Sequence, residues 1–522
     1  MQDARRAALN GLIWLPARLL LAISIFALVA CAGVPFDYPR TASHSIPASQ
    51  ETTLGQTGLS WREKHEDLSW IVGMPQGIDA LGARMKLMEQ AQHSIDAQYF
   101  IVKRDAAGAL FTSKMLRAAD RGVRVRLLVD DIFSPGIDQA FSVLNSHPNI
   151  EVRLFNPLSR QGLKYWDYLV AFERANRRMH NKSFTVDGAI SIVGGRNIGE
   201  EYFELNQDVA FDDYEVLTLG AVVEQVGTGF DQFWNSELSV PMEAFEIAVD
   251  PGELQQWRTF IEAEMSLGNA GIYGQAIDSP LLQELRNGTL EPIPATATMV
   301  SDSPEKLLSK VGDTEYATLA TETLQRLRAA QEQVVIITPY FIPQNEGSMV
   351  LEELLARGVR VVIVTNSLAS TNHVPVYAGY SRYRTRLLQA GAEFYEIRAE
   401  GTATPNGWGT HPERSTLHSK MTIFDQQTVF VGSLNFDPRS LLINSEMGLF
   451  IDTRLGVAAL HESITRELPR VTYRVDLDEA GNTRWTYDYG NEFVVLNKSP
   501  QTSWWRRFSA GAMGLLPLED QL

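Results

Sequence analysis

Apolar positions along the chain follow two alternating rhythms. From Gly77 to His93 they recur at helical spacing (Ile78, Leu81, Met85, Met88, Ala91), which predicts an amphipathic helix. Ile95 to Val102 is a β-branched and aromatic run and predicts a buried strand. A helix from Ala107 to Asp120 follows and stops at Arg121-Gly122, with glycine at the usual helix C-terminal position. Next come a strand (Val123 to Val129), a helix (Ile137 to Ser146) and a strand (Ile150 to Phe155). The same order returns later: helix Glu315 to Ala330, strand Val334 to Thr338, the turn Pro339-Tyr340-Phe341, helix Ser348 to Arg357 before Gly358, and strand Val359 to Val364. Tyr99-Phe100 and Tyr340-Phe341 hold equivalent places, 241 residues apart. Helix and strand alternating at this spacing predict an α/β fold with a mixed, largely parallel sheet and helices on both faces, built twice in tandem.

Around the repeats the pattern weakens. Residues 1–31 carry Arg5, Arg6 and Arg18 ahead of an apolar run, Leu19 to Ala30, too short for a membrane-spanning helix. Residues 32–65 are rich in Ser, Thr, Pro and Gln with little periodicity and predict a flexible tether, folded structure starting near Ile71. The two α/β halves are assigned to 66–242 and 304–470, with 243–303 as linker and insertion. The remaining 471–522 holds three strand-like stretches (Val471 to Val475, Thr483 to Asp488, Glu492 to Leu496) and a tail. In that tail Trp504-Trp505-Arg506-Arg507-Phe508 sets aromatics beside arginines, which suits a membrane interface or a segment packed on the body.

Length and charge narrow the function classes. The 522 residues exceed one ordinary core. Forty-six basic against 63 acidic residues leave a net charge of −17, which disfavours a nucleic-acid partner without excluding a local basic pocket for one phosphate. Cys31 is the single cysteine, so intrachain disulfides and thiolate metal clusters are excluded.

The chemistry concentrates in one motif that occurs twice. Met179 to Asn197 reads MHNKSFTVDGAISIVGGRN and Leu417 to Asn435 reads LHSKMTIFDQQTVFVGSLN. His180, Lys182, Asp187, Gly194 and Asn197 match His418, Lys420, Asp425, Gly432 and Asn435 without a gap, 238 residues on. Each copy predicts a hairpin, and positions i and i+2 put the histidine and lysine on one face. Two copies brought together offer two imidazoles, two ammonium groups and two asparagines. That set suits a phosphodiester: one imidazole attacks phosphorus, the other protonates the leaving alcohol, and lysines and asparagines stabilise the non-bridging oxygens. No acidic or histidine cluster at metal spacing is evident, so neither a cofactor nor a metal is expected.

These paired motifs resemble the phospholipase D superfamily, over roughly Ser69 to Leu468. The segments Asp96 to Phe100, Ala118 to Leu128, Asn176 to His180, Gly194 to Gly199 and Pro438 to Glu446, with the ending Leu515 to Leu522, resemble the C-type bacterial cardiolipin synthases. The resemblance implies two phospholipase D-like domains about a pseudo-twofold axis, both motifs at one cleft. It implies His180 as nucleophile, His418 as acid and then base, and Lys182, Lys420, Asn197 and Asn435 as phosphate binders. It also implies a downstream carboxylate for each histidine. Glu446 is the best match after His418 and Asp213 after His180, with Asp208 and Glu215 as rivals to Asp213. Asp187 and Asp425, the acidic members of the motif, are expected to orient the hairpins.

The implied activity is phosphatidyl transfer, in the first place cardiolipin synthesis from phosphatidylglycerol, with phosphatidylethanolamine as a further candidate lipid. Hydrolysis to phosphatidic acid, a nuclease and a non-catalytic scaffold are the alternatives. Leu28-Val29-Ala30-Cys31 resembles a bacterial lipobox, after which Cys31 would be lipidated; a plain signal peptide or short anchor also fits. No aspartate follows the cysteine, so the expected location is the outer membrane, facing the periplasm, with a membrane surface as partner and no accessory protein specified.

Overall fold

A computed structural model describes residues 33–133, 136–160, 167–206, 208–250, 252–268, 271–291, 293–313, 315–400, 414–516 and 519–522. The leader assigned to 1–31, Cys31 included, lies outside them.

Among the described residues, eighteen strands form one continuous sheet. In the first half, β1 (Ser69–Met74), β2 (Ser94–Tyr99), β3 (Arg124–Asp130), β4 (Ile150–Phe155), β5 (Ser183–Val186), β6 (Ile190–Gly194), β8 (Glu215–Gly220) and β9 (Ser239–Pro241) pair in the order β9-β4-β3-β2-β5-β6-β8-β1. The second half repeats that order through β10 (Ile293–Ser301), β11 (Gln333–Ile337), β12 (Arg360–Asn366), β13 (Glu393–Ile397), β15 (Met421–Phe424), β16 (Thr428–Gly432), β17 (Met447–Asp452) and β18 (Thr472–Leu477). The two sheets join edge to edge where β1 pairs antiparallel with β10, Ser69 opposite Ala295.

The sheet is mixed, but its parallel part is confined to β2-β3-β4 and β11-β12-β13, fewer pairs than a largely parallel sheet would have. Helical crossovers connect those strands, whereas the motif hairpins and their return strands need only short links, and short links make antiparallel neighbours. Helices Gly77–Gln90 and Ala106–Asp120 pack one face of the first half, and Val222–Trp234 covers the other around Leu128 and Phe155. Asp105 caps the second of these, accepting from Gly108 N at 2.9 Å, and Gly122 ends it at φ +95°. Gly358 does the same at φ +84° after helix Gln344–Ala356. A third apolar cluster joins Ile71, Val193 and Val216 to Val335, Ile423 and Leu449, so the halves share a core.

Three expected boundaries change. Residues 33–65 are not a free tether. Thr53–His65 is a helix capped by Thr52, and the segment before it is a strap that serves buried arginines. Arg126 on β3 donates to Ser43 O (2.9 Å) and Arg153 on β4 to Thr41 O (2.8 Å), while Trp234 Nε1 donates to Ser43 Oγ (2.9 Å). The strap's work is hydrogen bonding, so it shows no apolar period. Within 243–303, helices Glu253–Ser266, Ile272–Ile277 and Pro280–Asn287 pack on the first half; Asp79, for example, accepts from Leu281 N at 2.9 Å. β10, assigned to the linker, is the first strand of the second half. After residue 470, β18 continues that half's sheet, and β19 (Thr483–Tyr489) and β20 (Glu492–Leu496) extend it.

Candidate active site

Each motif folds as the expected hairpin. The turn between β5 and β6 is Asp187-Gly188 at φ +52° and +58°; that between β15 and β16 is Asp425-Gln426 at +51° and +53°. Both central residues at positive φ make type I′ turns, whose twist matches the strands they join. The two turn carboxylates point away from the histidines. Asp187 accepts from the backbone N–H groups of Gln92, His93 and Ser94, and Asp425 from those of Gln331, Glu332 and Gln333. Each therefore pins its hairpin to the start of the neighbouring strand.

The other motif residues meet at the seam between halves. A two-strand parallel ladder of β7 (Val209–Asp212) and β14 (Arg414–Leu417) puts Asp212 opposite Leu417, and so places the following residues, Asp213 and His418, together. His418 Nδ1 lies 2.5 Å from Asp213 Oδ2, and His418 N donates to Asp212 O at 2.7 Å. The other side copies this device with one parallel bridge, Met179 opposite Ser445. There His180 Nδ1 lies 2.8 Å from Glu446 Oε2, and His180 N donates to Ser445 O at 2.9 Å. The carboxylates are thus exchanged between halves. Glu446 serves His180 and Asp213 serves His418, opposite to the pairing expected within each half. Spacing along the chain is blind to this, because the symmetry axis runs between the motifs. Of the rivals, Glu215 is bound to Arg84 at 2.6 Å in the first core, and Asp208 uses its carbonyl to hold Arg414 N.

A carboxylate on Nδ1 fixes the tautomer: Nδ1 carries the proton and Nε2 keeps its lone pair. All four side chains of the two pairs are buried. Burial lowers the His180 pKa to about 4 against the pull of Glu446, and that of His418 to about 3, where the Lys420 ammonium adds to burial. Burial alone would raise both carboxylates, but their histidines together with Lys182 beside Glu446 and Lys420 beside Asp213 hold both below the usual range. Lys182 and Lys420 donate to the carbonyl oxygens of His180 and His418. Burial takes Lys182 down to about 7 and Lys420 to about 8, and Lys182 is further lowered by repulsion from Lys420. The cleft thus holds two neutral imidazoles and two ammonium groups that have lost much of their hydration.

The asparagines differ. Asn197 Oδ1 accepts from Ile101 N (3.1 Å) and its amide donates to Tyr202 OH (2.9 Å), so this side chain is engaged with protein and braces its own loop. Asn435 is buried and its Oδ1 has no hydrogen-bond partner among the described residues. Residues not foreseen complete the site. Ser433 Oγ donates to Glu446, Phe100 stands edge-on to His180 at 4.9 Å, and Phe211 stacks on His418 at 5.1 Å with Tyr202 at its edge. The repeated Tyr-Phe pair had marked Phe100's position; nothing in the sequence distinguished Phe211. Among the described residues, no group of three or more His, Cys, Asp or Glu is placed to hold a metal ion, and no helix is long and apolar enough to cross a membrane.

With this geometry in view, the comparisons with known proteins are specific. The family model described as cardiolipin synthase, PLD-like domain, matches residues 85–234 and 323–469. Cardiolipin synthase C of Escherichia coli is 37% identical over 488 residues, 92% of this chain and 99% of its own length. A cardiolipin synthase of Oceanobacillus iheyensis is 26% identical over 397 residues, 76% of this chain and 68% of its own. Among solved structures, phosphatidylserine synthase of Haemophilus influenzae shares the fold with a TM-score of 0.53 at 14% identity, covering 80% of this chain and 91% of that one.

Proposed function

Since this chain belongs to the family of cardiolipin synthase, PLD-like domains, we propose that it is a phosphatidyltransferase working through a phosphohistidine, with cardiolipin as product. The observation that carries this is the exchanged pair of His–carboxylate contacts, which readies two Nε2 atoms, one from each half, at a single seam. His180 Nε2 attacks the phosphorus of phosphatidylglycerol. The P–N bond forms, the P–O bond to the glycerol headgroup breaks, and that oxygen takes its proton from His418, which has been protonated on substrate binding. A hydroxyl of a second phosphatidylglycerol then gives its proton to His418 and attacks phosphorus, the P–N bond breaks, and His180 is restored. Phosphatidylethanolamine is the second candidate donor. Lys182 and Lys420 neutralise the non-bridging oxygens as charge builds there.

Incubation with phosphatidylglycerol vesicles and analysis of lipid products tests this. Cardiolipin is expected with the unaltered protein and with neither His180→Ala nor His418→Ala. Phosphatidic acid as the sole product would make the enzyme a hydrolase, and DNA cleavage in a parallel assay without lipid turnover would make it a nuclease. The leader supports export and lipidation at Cys31, with the chain held at the outer membrane facing the periplasm. Labelled fatty acid incorporated by the unaltered chain and lost in Cys31→Ser tests that step.

A further inference from the structure

The tail beyond β20 forms a helix, Trp504–Met513, whose N-terminus is capped by Ser503. Its inner side is anchored. Ala510 is buried, and Arg506 donates to Leu368 O (2.6 Å) and Thr371 O (2.7 Å). Its outer side is apolar: Trp504, Trp505 and Phe508 are 66%, 64% and 53% exposed, and Leu515 just beyond is 86% exposed. The three aromatic rings form one stack, Trp504 on Phe508 at 5.4 Å and Trp505 on Phe508 at 5.5 Å. Single exposed apolar side chains are ordinary on a protein surface; a rigid aromatic cluster is not.

Its location decides what should cover it. The loop gripped by Arg506 lies against the approach to His418, since Ser370 O accepts from Thr416 Oγ1 (2.7 Å) and Asn366 exchanges hydrogen bonds with Leu417. On the other side, the residues after the helix reach the approach to His180 and Glu446. Asn176 donates to Gln521 Oε1 (2.9 Å), and Arg439 N donates to Leu522 O (3.0 Å). The aromatic helix is therefore braced on the segment leading to His418, and the chain end beyond it on the segments leading to His180 and Glu446.

We propose that helix Trp504–Met513 seats the cleft on a phospholipid surface, with Trp504, Trp505, Phe508 and Leu515 entering the interfacial layer. This deepens the phosphatidyltransferase reading and rests on it: the substrate is itself a bilayer component, and amphipathic aromatic rings favour the headgroup boundary. The arginines fit the same picture. Arg506 and Arg507 are held back by backbone carbonyls, so the wedge that enters is apolar and fixed in direction.

Two readouts on the full chain test the proposal. In vesicles of phosphatidylglycerol and phosphatidylethanolamine brominated near the headgroup, tryptophan emission is expected to be quenched, and Trp504→Phe/Trp505→Phe should lose most of that quenching. Quenching unchanged in the double variant overturns the proposal. Separately, Trp504→Ser/Trp505→Ser/Phe508→Ser should raise KM on vesicles by about tenfold or more and leave kcat/KM on monomeric dihexanoyl phosphatidylglycerol unchanged. Equal losses on both substrates would show that the helix only supports the cleft, and would also overturn the proposal. If the unaltered protein turns over neither lipid, the functional reading fails while the quenching still reports docking.

Discussion

At position 195 in the first half, a side-chain carbon on the glycine would sit 2.3 Å from Asp213 Oδ1; the matching position in the second half is Ser433, whose hydroxyl donates to Glu446. The first motif thus leaves room for a short carboxylate to close on His418, and the second adds a donor to a longer one that reaches His180. The aromatic settings differ as well, Phe100 edge-on at His180 and Phe211 stacked flat on His418. Asp437 has no acidic counterpart across the axis, because Gly199 stands there; burial pushes its carboxyl up to about 7. Two copies of one motif therefore occupy two electrostatic settings. The motif is the same in both halves, so a division of labour between the histidines rests on these surroundings and on the bound substrate rather than on the motif.

The sharpest way to break this comparison is to remove one histidine at a time. His180→Ala and His418→Ala should each lower turnover by about 10⁴-fold or more. They should differ with a substrate bearing a good leaving group such as nitrophenolate. His418→Ala should then form and accumulate the covalent adduct, and His180→Ala should form none. Adduct mapped by mass spectrometry to His418 in the His180→Ala protein would reverse the roles.

Next in size is the exchange of carboxylates. Asp213→Asn and Glu446→Gln should each cost about 10²- to 10⁴-fold in kcat, since a wrongly oriented or wrong tautomer of imidazole loses most of its function. A good leaving group should restore formation of the covalent adduct in Asp213→Asn, which impairs His418, and should not restore it in Glu446→Gln, which impairs the nucleophile His180. The opposite pattern of rescue would mean that each carboxylate acts within its own half.

The motif hairpins, the tandem halves and most strands were legible because each leaves a local signal, such as period-two alternation, glycine after a helix, or a His-x-Lys repeat at fixed register. What was not legible is long-range. The pairing of Asp213 with His418 depends on β7 finding β14 across 205 residues, and that of Glu446 with His180 on one bridge at Met179. Nor did the strap at Thr41 to Ser45 declare itself, because its partners are buried arginines on β3 and β4 and its own residues follow no apolar pattern. The aromatic run at Trp504 is conspicuous in sequence, yet its packing follows from the contacts of Arg506 with Leu368 and Thr371, and that of the chain end from contacts near Asn176 and Arg439.

The two lysines set the pH response. Both must be charged to hold the phosphodiester, and burial brings Lys182 to about 7 and Lys420 to about 8 in the free enzyme. A lowered lysine pKa means that the needed ammonium is full below that value and lost as pH rises through it. The alkaline limb of kcat/KM should therefore begin near 7 and deepen to about a twentyfold loss by pH 8, with a slope nearing two above that. Lys182→Gln, slower at every pH, should keep one step near 8 with unit slope. An alkaline limb that starts only above pH 9 would contradict the buried, charge-crowded cleft.

The smallest expected effect comes from the one place where the two hairpins differ in backbone strain. Asp187-Gly188 supplies glycine at the second positive-φ position, whereas Asp425-Gln426 holds a glutamine there at φ +53°. An L-residue with a β-carbon pays about 1–2 kcal/mol to sit in that region. Glycine removes this strain but adds freedom to the unfolded chain worth roughly 0.5–1 kcal/mol, so part of the gain is returned. Gln426→Gly should therefore stabilise the second half by about 0.5–1 kcal/mol, read as a small rise in the thermal midpoint with turnover unchanged. The reverse substitution, Gly188→Gln, should cost more than that gain. A β-carbon at 188 would meet Ile46 O at 2.1 Å, so the first turn is locked to glycine by the strap as well as by its own dihedral angles, whereas the second is held by its dihedral angles alone. Equal and opposite shifts for the two substitutions would show that the strap does not bear on the first hairpin.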